Sequence, residues 1–290
     1  MQQYQPECTV LIIGNERYYP GKKAAKILHP EEAKDSGVYF YDVGDRFDRE
    51  PSFQYVKTGV ELALTQKVAA LVTAPISKEK WLNAGIEDKG HTEYLAESAG
   101  VKDYSMFFWS ENMKVSLFTI HIPLKEIFKF IKKREIVRFI RSLDRELTKL
   151  FKQKFTFLIS GLNPHAGEEG FLGREEIEEI IPAIEALREE GASNPEQAIH
   201  IEGPVPPDIV FLKARNRKDA VVVSWYHDQG LIPFKLFNIH AGVNMTLGLP
   251  YIRTSPDHGT AYDIAGKNIA DPSSMTAAIK LAEELVLRQA

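Results

Sequence analysis

The stretch Ala220–Lys235 reads AVVVSWYHDQGLIPFK. Its first half is a short β-branched apolar run, the pattern of a strand buried on both faces, as in a parallel sheet. Its second half delivers His227, Asp228 and Gln229 side by side ahead of a glycine. In open α/β sheets ligands bind outside the carboxyl ends of the strands. A polar cluster at this point therefore reads as a site, against the blander alternative of a solvated loop.

The pattern repeats along the chain. Apolar runs at Thr9–Gly14, Val38–Val43, Ala69–Pro75, Ser105–Ser110, Lys114–His121, Phe155–Gly161, Ala220–Trp225 and Val243–Gly248 predict strands. Amphipathic segments at Ser52–Gln66, Thr92–Ser98, Leu124–Phe151, Glu175–Glu190 and Met275–Arg288 predict helices. Strands alternating with helices predict an α/β protein with a largely parallel sheet. With 290 residues, 44% of them hydrophobic, the chain is long enough for two lobes. No internal repeat and no Ser-, Gly- or Pro-rich linker interrupts it.

Composition excludes several function classes. A net charge of -4 and a pI near 6.1 argue against nucleic acid as the main partner. The basic segment Phe128–Ser142 carries apolar residues at helical spacing and reads as a helix with a solvated basic face. One cysteine, Cys8, allows no disulfide framework and no cysteine-based zinc site. No apolar run approaches a membrane span and no signal peptide opens the chain, so a cytoplasmic protein is expected.

Three histidines sit at predicted strand ends: His121 closing SLFTIH, His165 in GLNPHAG and His227 in YHDQG. Three neutral imidazoles leave coordination positions open, as in a catalytic metal site; each alone also reads as an ordinary loop histidine. The Gly161–Glu176 segment packs glycines between a strand and a helix, an arrangement suited to an anion or simply to a long turn. His91 and Thr92 stand at a predicted helix start, where Thr92 also reads as an N-cap. Lys235, Asn244 and Arg253 lie among apolar residues, either snorkelling from the core or binding a phosphate. The segment DHGTAYDIAGKNIADP (Asp257–Pro272) has two glycines, a buried-looking Asp263 and, further on, Asp271. No GxGxxG is present, yet a nucleotide fits such a loop, with a carboxylate on the ribose hydroxyls.

Together TAPISKE (Thr73–Glu79), GHTEYLAE, GLNPHAGE, GPVPPDIVF (Gly203–Phe211), YHDQGLIPFK and VNMTLGLPYIRTSPDHGTAYDIAGK resemble the 4-hydroxythreonine-4-phosphate dehydrogenase family of vitamin B6 biosynthesis. The last motif also resembles a loop of isopropylmalate and isocitrate dehydrogenases that holds the adenosine half of NAD. The resemblance implies their two-lobed α/β fold with a cleft between the lobes. Residues 1–85 plus 240–290 would form the cofactor-side lobe, and 86–239 the metal, substrate and dimerisation lobe. It implies a homodimer with shared active sites, a divalent metal (zinc, magnesium or cobalt) on His121, His165 and His227, and substrate contacts from His91, Thr92, Lys235, Asn244 and Arg253. NAD or NADP would lie on His258, Gly259, Asp263, Gly266 and Asp271, with NAD favoured, and Lys235 and Asp228 would be the candidate catalytic bases.

The implied reaction is oxidation of 4-phosphooxy-L-threonine to 2-amino-3-oxo-4-phosphooxybutanoate, then decarboxylation to 3-amino-2-oxopropyl phosphate. Alternatives are a 4-phospho-threonate or 4-phospho-erythronate dehydrogenase, a phosphate acetyltransferase-like enzyme, or an impaired dimer that only binds phosphorylated ligands. The family begins with a strand and a GDPxGIGPE turn; this chain opens MQQYQPECTVLIIGN, which implies either a start further upstream or the loss of that turn.

Overall fold

The computed structural model describes residues 5–19, 24–44, 50–86, 90–238 and 240–289. The chain forms two compact units, Met1–Lys102 with Leu249–Ala290, and Asp103–Gly248. The first opens with strands β1 (Thr9–Gly14), β2 (Ala25–Ile27) and β3 (Gly37–Asp42), then helix α1 (Pro51–Leu64), strand β4 (Ala70–Val72), and helices α2 (Lys78–Asn83) and α3 (His91–Ser98). The second runs β5 (Ser105–Trp109), β6 (Lys114–Leu117), α4 (Lys133–Phe151), β7 (Thr156–Ser160), α5 (Ile181–Ser193), β8 (His200–Val205), α6 (Val210–Ala214), β9 (Ala220–Ser224), α7 (His227–Asn238) and β10 (Val243–Leu247). The chain then returns to the first unit with β11 (Ile252–Pro256) and α8 (Ser273–Leu287).

In the first unit β1, β3 and β2 pair in parallel in the order β1-β3-β2, and β4 pairs in parallel with β11. The core joins Phe53, Val56 and Val60 of α1 to Trp81, Leu95 and Tyr251. Leu95 is why α3 belongs here and the boundary falls after Lys102, where the sequence suggested residue 85. The other boundary falls after Gly248, where residue 239 was expected, because β10 pairs with β5.

In the second unit the strands order β10-β5-β6-β9-β7-β8, antiparallel at β10/β5 and β5/β6 and parallel from β6 onward. All five residues of β9 are buried, as its continuous apolar run requires. Val115, Leu158 and Val222 pack with Phe211 of α6 and Phe234 of α7. On the other face Phe107 meets Phe151 of α4 edge-on. Covering both faces leaves the strand ends as the polar surface of the sheet.

Several elements differ from the sequence reading. The helix expected over Leu124–Phe151 is a 3₁₀ segment, Leu124–Lys129, followed by α4. The one expected from Glu175 begins with a π turn, Glu176–Ile180, before α5 with Pro182 in its first turn. The strand read through His121 ends at Leu117. Strands β2, β8 and β11 lacked a signal. In β8 this follows from Gly203 and Pro204, residues tolerated at a sheet edge, where β8 lies. The stretch after β9 is a helix, α7, although Gly230 and Pro233 stand inside it. Gly230 is required there: a Cβ would meet Leu117 Cδ2 at 2.6 Å and Val115 Cγ1 at 2.9 Å, so α7 rests directly on β6.

Candidate active site

The second unit brings two of the three strand-end histidines together. Beyond β6 the chain keeps contact with β9: Phe118 N–H donates to Ser224 O at 2.8 Å and the Thr119 hydroxyl to Trp225 O at 2.5 Å. This places His121 beside the first residue of α7, with the rings of His121 and His227 5.8 Å apart between centroids and tilted by 43°. His227 Nδ1 lies 2.7 Å from Asp228 Oδ1. With the proton on Nδ1 the carboxylate fixes the ring and turns Nε2 into the available electron pair, the usual carboxylate–histidine support of a metal ligand.

Gln229 explains the rest of the His-Asp-Gln triplet. Its Oε1 accepts the Trp225 N–H at 2.7 Å and its Nε2 donates to Gly161 O at 2.8 Å. Trp225 adds an indole N–H bond to Ser160 O at 2.6 Å. The loop after β9 is thereby tied to the loop after β7, which carries His165.

In the loop after β7, read as an anion site or a long turn, the first backbone donors are taken by a carboxylate of the same chain. Glu176 is 1% exposed, and its carboxylate accepts the N–H groups of Leu162 and Asn163, each at 2.8 Å, and Asn163 Nδ2 at 2.8 Å. The backbone donors of Leu162 and Asn163 thus face the Glu176 carboxylate. The turn itself is left-handed: φ is 52° at His165, 54° at Ala166, 42° at Glu168 and 57° at Glu169. Each such L-residue costs roughly 1–2 kcal/mol, so the conformation persists only because the surrounding bonds enforce it. Among the described residues no three His, Cys, Asp or Glu side chains gather as a metal group, so His165 does not join His121 and His227 within one chain.

Two further residues of this unit complete the candidate set. Lys235 lies exposed on α7, two turns beyond His227. Asn244 lies in β10 opposite Phe108, its Oδ1 buried without a hydrogen-bond partner.

The first unit gathers a polar group around Arg253 of β11. Arg253 is 2% exposed and its Nη2 donates to Thr73 Oγ1 at 2.8 Å. Burial pulls its pKa down to about 10, against the pull of Tyr251 and Glu93. His91 opens α3, with Gly90 as the N-cap at φ 154°, so Thr92 lies one residue inside the helix and is not the cap. Burial, then the positive charges of Arg253 and Lys78, push the His91 pKa down to about 3, so the ring is neutral at pH 7. Its Nε2 is buried without a hydrogen-bond partner, and Trp81 packs edge-on at 5.8 Å. The Tyr251 hydroxyl is likewise buried and unpartnered, and burial pushes its pKa up to about 12. A buried cation, a neutral imidazole and a phenol with spare hydrogen-bonding capacity suit an incoming anion. Thr73, Lys78, Trp81 and Tyr251 were not singled out individually in the sequence, because their roles rest on contacts between distant segments.

The Asp257–Pro272 loop is open. Asp263, which looked buried in the sequence, is exposed in a single 3₁₀ turn, because the polar and small residues around it give it nothing to pack under. Among the described residues, no atom beyond the adjacent ones lies within 4 Å of a Cβ built at Gly259 or Gly266. His258 Nδ1 lies 2.9 Å from Gly259 O. Asp271 Oδ1 accepts the Ser273 N–H at 2.9 Å, at the first residue of α8. Lys80 sits 4.5 Å from the centre of the Tyr262 ring.

Residues 26–282 match the family described as pyridoxal phosphate biosynthetic protein PdxA. The chain belongs to the PdxA family. A relative from Aquifex aeolicus, named 4-hydroxythreonine-4-phosphate dehydrogenase, is 44% identical over 270 residues, covering 90% of this chain and 82% of its own. One from Oceanobacillus iheyensis, named provisionally as a D-threonate 4-phosphate dehydrogenase, is 42% identical over 235 residues, covering 81% of this chain and 69% of its own. The crystal structure of 4-hydroxythreonine-4-phosphate dehydrogenase from Klebsiella pneumoniae superposes with a TM-score of 0.79 at 35% identity, covering 95% of this chain and 90% of that one. The mixed α/β architecture of this PdxA-family chain is therefore that of its dehydrogenase relatives. No helix among its described residues is long and apolar enough to cross a membrane.

Proposed function

We propose that the chain oxidises the secondary hydroxyl of 4-phosphooxy-L-threonine with NAD or NADP, giving 2-amino-3-oxo-4-phosphooxybutanoate, which loses CO2 to form 3-amino-2-oxopropyl phosphate. The observation that carries this reading is the neutral His91 ring, its buried Nε2 without a hydrogen-bond partner among the described residues, near the buried Arg253 guanidinium. That pair suits a phosphorylated substrate, with the arginine supplying charge and the imidazole a hydrogen bond. Thr73 holds the guanidinium in place. Asn244, with its buried carbonyl oxygen unpartnered, is the residue for a substrate donor such as the amino group.

His121 and His227 suit a divalent metal, since two imidazoles 5.8 Å apart, one backed by a carboxylate, are a nitrogen donor set for zinc or cobalt. A bound cation would act as a Lewis acid on the substrate hydroxyl. His165 completes the set in a homodimer whose sites are shared. Exposed Ile232 and Leu236, four apart on α7, and Phe171 in the His165 loop offer apolar surface for a second copy. Asp228 is committed to His227, so we assign it an orienting role and give the hydroxyl proton to Lys235. The open loop at His258, Gly259, Asp263 and Gly266 would hold the nicotinamide cofactor, which would supply hydride acceptance. The exposed Asp263 carboxylate suits ribose hydroxyls and favours NAD. Asp271 serves that loop indirectly, by anchoring α8.

A second reading, oxidation of D-threonate 4-phosphate, is favoured by the Oceanobacillus iheyensis relative, whose identity is within two points of the first (42% against 44%). NADH production from each substrate, measured side by side, separates the two.

A further inference from the structure

We infer that the Tyr251 hydroxyl is a further substrate-binding group, which donates a hydrogen bond to a phosphoryl oxygen paired with Arg253. The inference rests on the reading of Arg253 and His91 as a phosphate site. Tyr251 immediately precedes β11, and Arg253 is the second residue of that strand. Side chains two apart along a strand project from the same face. Their polar ends act on each other. Burial raises the Tyr251 pKa while the Arg253 charge pulls it down, and the phenol acts on the guanidinium in turn. The same guanidinium acts on the His91 ring. One buried cation is thus shared by a phenol and an imidazole.

Packing does not need the hydroxyl. Tyr251 is 8% exposed, and its ring belongs to the apolar cluster of Phe53, Val56, Trp81 and Leu95. A phenylalanine ring would fill the same volume. The guanidinium does not need the hydroxyl either: Thr73 Oγ1 accepts from Arg253 Nη2 at 2.8 Å, and the phenol oxygen is buried without a hydrogen-bond partner among the described residues. A hydroxyl buried in that state carries the cost of its desolvation and returns nothing to the fold. Such groups are rare in folded proteins, and each calls for a physical reason.

A ligand that brings the missing partner supplies that reason, and the surroundings select its chemistry. The Arg253 charge repels a cation and attracts an anion. Burial holds the Tyr251 pKa up at about 12, so the phenol keeps its proton at neutral pH and donates. Its partner is therefore an acceptor that carries negative charge. A phosphoryl group offers several such oxygens, enough to meet the guanidinium and the phenol together. The hydroxyl thus weakens the empty protein and strengthens the complex, a combination that a purely structural hydroxyl does not produce.

The test measures binding of inorganic phosphate and of 4-phosphooxy-L-threonine by calorimetry to the full chain, to Tyr251→Phe and to Arg253→Ala, together with the urea midpoint of each protein without ligand. Tyr251→Phe is expected to bind both ligands about tenfold more weakly, the loss of one hydrogen bond to a charged acceptor. Its midpoint without ligand is expected to equal or exceed that of the parent, because an unpaired oxygen has left the core. A lower midpoint in Tyr251→Phe marks the hydroxyl as structural and overturns the inference. Unchanged binding in Tyr251→Phe, with weakened binding in Arg253→Ala, also overturns it and leaves the phosphate site standing without Tyr251. Unchanged binding in Arg253→Ala overturns the reading of the site, and the inference with it. Should Arg253→Ala fail to fold, Arg253→Lys takes its place in the same comparison.

Discussion

The imidazole of His227 is held by its own neighbour: Asp228 Oδ1 lies 2.7 Å from His227 Nδ1, with the His121 ring 5.8 Å away between centroids. In the proposed site these two adjacent residues at the start of one helix would serve as ligand and orienter. Replacing Asp228 with Asn keeps the shape and removes the charge. Divalent-metal affinity, measured by calorimetry with zinc or cobalt, is expected to fall about 10–100-fold, and His227→Ala to abolish it. Unchanged affinity in Asp228→Asn would make the contact incidental.

Gln229 ties two loops by paired hydrogen bonds, to Trp225 N–H and Gly161 O. Gln229→Ala leaves both backbone groups without that partner and should cost roughly 1–3 kcal/mol, read as a lower denaturation midpoint. Metal affinity should fall with it, because the His165 and His227 loops lose their tie.

Gly230→Ala tests the close approach of α7 to β6. The added methyl meets Leu117 and Val115 well inside contact distance, so the variant should lose about 1–3 kcal/mol of stability. An unchanged midpoint would mean that α7 sits further from the sheet.

The depressed pKa of His91, about 3, has a consequence for folding. The unfolded histidine titrates near its reference value of about 6.5, so between roughly pH 6.5 and 3 the unfolded state binds more protons than the folded one. Stability contributed by His91 is therefore present above pH 6.5 and is lost as pH falls through that window. His91→Gln should flatten the acid side of the stability curve by up to about 1.4 kcal/mol per pH unit. Denaturant midpoints across pH 4–7 measure this; parallel curves for the two proteins would contradict it.

How far these residues were legible in the sequence follows from the range of their interactions. Runs such as AVVVS announce a buried strand locally, and the histidines after SLFTI and AVVVS stand out because polar residues abruptly follow apolar ones. Helix α7 was hidden because Gly230 and Pro233 oppose helix propensity, and its packing on β6 outweighs them. The Arg253–Thr73 bond joins residues 180 apart, and no local pattern announces it. The left-handed turn at His165 depends on Glu176, which a sequence reader takes for an ordinary surface acid at a helix start.

Arg253→Ala should raise the Michaelis constant for the phosphorylated substrate by about one to two decades, the value of a charge-assisted contact of roughly 1.5–3 kcal/mol. The Michaelis constant for the nicotinamide cofactor should barely move. Equal losses for both ligands would mark Arg253 as a structural residue.

The steady-state rate of NADH formation by the protein, supplied with zinc or cobalt, with 4-phosphooxy-L-threonine and with D-threonate 4-phosphate in parallel, tests the proposed activity most directly. Turnover of the amino acid substrate at the higher kcat/KM is expected, abolished by chelation and restored by metal. No NADH from 4-phosphooxy-L-threonine, or a higher kcat/KM for D-threonate 4-phosphate, would contradict it.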